Sequence, residues 1–92
     1  MVKLEYTDSQ LKAHVLEFLR RQERWGSHYF PIETMVNWIS KGMKRDGKRI
    51  RMAARDLVGD GYVLLHKRGR AISLNPRLSR GINEFIEKNL VT

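Results

Sequence analysis

The side chains able to do chemistry in this chain are cations, and they are concentrated. Between Lys41 and Arg80 stand twelve lysines and arginines against only Asp46, Asp56 and Asp60, a net charge of +9. The remaining residues sum to −1 of the whole-chain +8. Like charges repel and oppose compaction, so such a concentration points to a polyanionic partner, nucleic acid first. Other chemistries find little support. There is no cysteine, which excludes disulfides and thiolate metal sites. His14, His28 and His66 are dispersed, with no pair at ligand spacing, and no serine, histidine and acid arrangement suggests a nucleophile. Gly42 to Arg49 has the spacing of a phosphate-binding loop up to Lys48, but Arg49 replaces the hydroxyl residue that would hold Mg²⁺, and helical periodicity precedes it. The expectation is a binding protein, not an enzyme, with no cofactor and no metal.

Within the basic segment the spacing is helical. With Ile50 set toward a core and about 100° per residue, Arg45, Lys48, Met52 and Arg55 fall on the opposite face. Lys44 and Arg51 lie on one flank and Arg49 on the other. Such a face suits a DNA groove, with outer cations on phosphates and arginines reaching base edges. If Asp46 is the N-cap, Lys48 and Arg49 stand in the first helical turn, where the helix dipole disfavours cations. A broken local rule of this kind is most often tolerated at a functional site. The competing reading has these cations solvated or paired, with Asp56 as a partner. Downstream, Lys67, Arg68 and Arg70 surround Gly69 in a short loop, where glycine can take a left-handed conformation.

Several elements must position these groups. Thr7 and Gln10 fit a capping box with Tyr6 and Leu11 as a staple, opening a helix that carries Leu11, Val15, Phe18 and Leu19 and stops near Trp25–Gly26. Ser27 to Phe30 reads as a connector or short strand, with Trp25, Tyr29 and Phe30 closing the core. Pro31 suits the start of a second helix with Ile32, Met35, Val36 and Ile39 on its stripe, and Trp38 at the stripe's margin is open between core and surface. Gly42 breaks that run. A third helix centres on Ile50, Ala53, Ala54, Leu57 and Val58, starting at Asp46 or as early as Met43 and ending at Gly59–Asp60–Gly61. Tyr62 to Leu65 and Ala71 to Leu74 form a hairpin, and Asn75–Pro76 opens a last helix with Leu78, Ile82, Phe85, Ile86 and Leu90.

This order, with Gly42 in the turn and Gly59–Asp60–Gly61–Tyr62–Val63 after the third helix, resembles the winged helix-turn-helix superfamily of DNA-binding proteins, in its small prokaryotic transcription-regulator form. The resemblance covers about residues 9–74, with residues 75–90 like the extra C-terminal helix of many such regulators. It implies one domain over residues 1–92 of α+β class, mainly α: a three-helix core, a hairpin wing and a C-terminal helix. It implies double-stranded DNA as partner, the third helix in the major groove through Lys44, Arg45, Lys48, Arg49, Arg51, Met52 and Arg55, and the wing on phosphates or minor groove through Lys67, Arg68 and Arg70. Winged helices also serve as RNA-binding or protein-binding modules, so an RNA or protein partner is the alternative. A homodimer through Leu78, Ile82, Phe85, Ile86 and Leu90 competes with use of that stripe as core. With no apolar run of membrane-spanning length, a cytoplasmic location fits.

Overall fold

In the computed structural model, which describes residues 6–41 and 47–90, the first helix opens on the predicted capping box. The Thr7 hydroxyl accepts from the Gln10 amide at 3.1 Å, and the Gln10 side chain accepts from the Thr7 amide at 2.9 Å. Helix α1 runs Asp8–Arg21, shorter than the predicted end at Trp25–Gly26. The reason is a Schellman cap with an unexpected residue. The Arg24 amide donates to Leu19 O and the Glu23 amide to Arg20 O, both at 3.0 Å. Glu23 takes the left-handed position (φ 55°) that usually belongs to glycine. Gly26, also left-handed at φ 61°, sits in the following turn, where its amide donates to Leu74 O.

Strand β1 (Phe30–Pro31) leads directly into α2 (Ile32–Lys41). Pro31 is therefore the residue ahead of the helix, not its first residue. It is tolerated in the sheet because β1 is an edge strand, where no ladder donor is needed on the open side. Helix α3 is described over Gly47–Gly59. Its two proposed starts, Met43 and Asp46, and the turn at Gly42 lie outside the described residues. The hairpin follows as β2 (Val63–His66) and β3 (Ala71–Leu74). A 3₁₀ turn over Pro76–Leu78, capped by Asn75 Oδ1 accepting from the Arg77 amide at 3.0 Å, then leads into α4 (Ser79–Leu90).

The three strands form one antiparallel sheet in the order β1-β3-β2, with Phe30 opposite Ile72 and Val63 opposite Leu74. Because β3 is central and covered on both faces, all four of its residues are buried. Its one polar side chain is consequently satisfied twice: Ser73 Oγ donates to Gly26 O at 2.6 Å, which leaves it to accept from His66 Nε2 at 2.9 Å. The apolar stripes of the helices meet this sheet in one cluster that includes Leu11, Leu16, Leu19, Met35, Ile50 and Leu57. Full burial of such a side chain contributes about 1.5–3 kcal/mol each. The result is a small, compact, mainly helical α+β domain.

The α4 stripe goes to this core. Ile82 and Ile86 are buried, and Leu78, Phe85 and Leu90 pack against the cluster, with α4 lying on α1. A homodimer through these five residues would require α4 to leave α1. Trp25 and Phe30 also pack on the core as expected, whereas Tyr29 is outside it, stacked on the His66 ring with centroids 4.9 Å apart.

Candidate nucleic-acid interface

Helix α3 buries Ile50, Ala53, Ala54 and Leu57 and exposes Lys48, Arg51, Met52 and Arg55, the division its periodicity predicted. Met52 is 56% exposed at the centre of that outward face, an unusual place for a large apolar side chain. Among the described residues of α3, from Gly47 onward, no acid stands in the first turn to match the helix dipole, an unfavourable setting for Lys48. Lys44 and Arg45 lie outside the described residues.

Two of the predicted contacts are already engaged within the protein. Arg49 Nη2 donates to Tyr6 O at 2.8 Å and to Asp8 Oδ1 at 3.0 Å, tying α3 to the start of α1. Its guanidinium thus makes a contact within the fold, between two helices, where the sequence reading gave it to a base edge. Arg51 forms a two-pronged pair with Glu33 of α2, at 2.9 and 2.7 Å. Those hydrogen bonds push the Arg51 pKa up and hold the Glu33 carboxyl below the usual carboxylate range, the Coulombic attraction acting the same way. Asp56, the partner considered from sequence, lines a shallow depression together with Asp8, Arg49 and Met52.

What remains is a set of five cations: Lys48, Arg55, Lys67, Arg68 and Arg70. Among the described residues none of them has a carboxylate partner within ion-pair distance. The packing of the hairpin beside α3, the element that precedes it, brings members of this set together. Arg55 of α3 and Arg68 of the hairpin turn line the two sides of one cleft.

The hairpin turn has its own signature. Gly69 is left-handed as expected (φ 87°), but so are Lys67 (φ 52°) and Arg68 (φ 56°, ψ 38°). For residues with a Cβ this costs roughly 1 kcal/mol or more each, a strain that persists only where the surroundings or a function maintain it. The Lys67 ammonium lies 5.6 Å from the Tyr29 ring centroid, and Tyr29 is braced by His66, which Ser73 holds in turn. The buried hydroxyl of β3 thus fixes the base of the hairpin while cations occupy its tip.

Sequence reasoning missed Glu33, Leu65 and the lining they create. Leu65 follows Val63 on the same side of β2, so alternation would bury both. But β2 is an open edge strand of the sheet, and while the cross-strand partner Ile72 on the central strand is buried, Leu65 is 51% exposed over the cleft. Trp38, left open between core and surface, is 62% exposed on α2, with the Lys41 ammonium 5.3 Å from its ring centroid. It borders a groove with Tyr6, His14, Phe18 and Ile39, apart from the cleft of α3 and the hairpin.

No helix among the described residues is long and apolar enough to cross a membrane. Comparison with known proteins returns no match: no family model, no curated protein and no solved structure is similar to this chain.

Proposed function

We propose that this domain is a winged helix that binds duplex DNA, as a transcription regulator does, with α3 in the major groove and the β2–β3 hairpin on the adjoining phosphates or minor groove. One observation carries this reading. Arg55 and Arg68, from α3 and from the hairpin tip, face one cleft with no carboxylate paired to either among the described residues. Lys48, Lys67 and Arg70 extend the positive charge along the same two elements. Lys48, Lys67 and Arg70 meet phosphate; Arg55 is the arginine left to reach a base edge once Arg49 and Arg51 are engaged. Met52 offers its apolar side chain to a thymine methyl group.

Duplex RNA fits this face poorly, because the deep, narrow A-form major groove excludes a helix, and single-strand binders present stacking aromatics where this face presents cations. The second reading, a winged helix acting on RNA or on a protein, draws on Trp38, exposed on α2 away from the cleft. Anisotropy titrations of labelled duplex DNA, duplex RNA and single strands of one sequence at fixed salt separate the two. Tightest binding to duplex DNA is expected; preference for either RNA form overturns the assignment.

A further inference from the structure

The cleft between α3 and the hairpin has a feature that phosphate contact does not use: its floor is apolar. Ile32 at the start of α2, Ala54 and Val58 on α3, and Leu65 and Ile72 on the hairpin line a space of about 340 Å³. This lies within the roughly 300–1,000 Å³ common for small-molecule sites. Leu65 leaves half its surface in water there, a cost that an apolar occupant would remove. Arg55 and Arg68 stand at the rim without carboxylate partners, while the third rim arginine, Arg51, is matched by Glu33. The lining therefore carries two uncompensated positive charges over a hydrocarbon surface. A duplex backbone satisfies the rim and cannot fill the floor, and a simple anion does the same.

We propose that this cleft binds an amphipathic organic anion, a carboxylate carried on an aliphatic or aromatic body. The head group sits on Arg55 and Arg68, and the body on Ile32, Val58 and Leu65, above the buried Ile72. Because Arg55 and Arg68 are also the proposed duplex contacts, the bound anion and DNA exclude one another. That second half rests on the duplex reading; the site itself does not.

The test uses the full chain with labelled methyl groups, titrated by NMR with decanoate below its micelle concentration, 2-naphthoate, decanol and inorganic phosphate. Saturable shifts confined to the methyls of Ile32, Val58, Leu65 and Ile72 are expected with one or both carboxylates. Phosphate and decanol should leave those methyls nearly unmoved. Arg55→Gln together with Arg68→Gln should weaken carboxylate binding about tenfold or more, the loss of charge-assisted hydrogen bonds. Both arginines are exposed, so folding is not at issue. Shifts that never saturate, shifts led by other methyls such as Ile39, or unchanged affinity in the double variant overturn the site. Leu65→Gln should bind duplex DNA as the native chain does but resist displacement by the carboxylate. If the native chain saturates with decanoate and binds no duplex, the DNA reading fails and the site stands. If duplex is bound but not displaced by saturating carboxylate, mutual exclusion is wrong.

Discussion

Arg49 and Arg55, on one helix, have opposite assignments. Arg49 is held by Asp8 and by a backbone carbonyl of Tyr6, so Arg49→Ala should lower unfolding free energy by about 1 kcal/mol, measured by denaturant titration, with little effect on the DNA dissociation constant. Arg55→Ala should do the reverse: stability unchanged, and about 1–3 kcal/mol lost on a preferred duplex if it makes a bidentate base contact. An equal loss on random DNA would show that Arg55 meets only phosphate. His14 gives a prediction in pH. Its half-buried ring, edge-on to Tyr6 at 5.3 Å, has its pKa pushed down by desolvation, an effect that Glu17 partly opposes. The unfolded chain therefore takes up a proton that the folded chain resists. Stability is full above the ordinary histidine range and declines as pH falls through that range to the lowered folded value. His14→Gln should flatten this decline in chemical denaturation at a series of pH values; an unaltered slope would assign it elsewhere.

At the scale of elements, the hairpin shows a conflict between folding and binding. Lys67 and Arg68 hold left-handed conformations that their side chains disfavour, at the tip most exposed to a partner. Arg68→Asn, which tolerates that backbone better, should raise stability by a few tenths to about 1 kcal/mol while weakening duplex binding. A variant that gains stability and keeps full affinity would show that the strain is unrelated to DNA. The sequence made the hairpin legible because turn residues and β-rich runs are local signals. It could not show that β3 becomes the central strand with Ser73 buried, since that depends on β1 arriving from the far side of α2 and α3. Helix α1 ended early for a local reason instead: Glu23 fills a left-handed capping position that usually belongs to glycine or asparagine.

For the whole molecule, the free cations set the expected response to salt. With Arg55 on a base edge, the four phosphate contacts of Lys48, Lys67, Arg68 and Arg70 give a slope of log K against log salt of about −3.6. Lys67→Ala should reduce its magnitude by about one and weaken all sequences alike. A response near zero across a salt titration is incompatible with the proposed interface. Taken alone, the sequence determined the concentration of charge, the order of the elements, the capping box and the outward face of α3, because each arises from neighbours within a few residues along the chain. The tertiary structure alone decided which cations stay available. Asp8 lies 41 residues from Arg49, and Glu33 lies 18 from Arg51. It also packed the α4 stripe on the core beside α1 and left Leu65 on the open edge of the sheet, lining the cleft. Periodicity gives a side chain's direction around its own helix or strand, but the groups it meets depend on how separate elements pack.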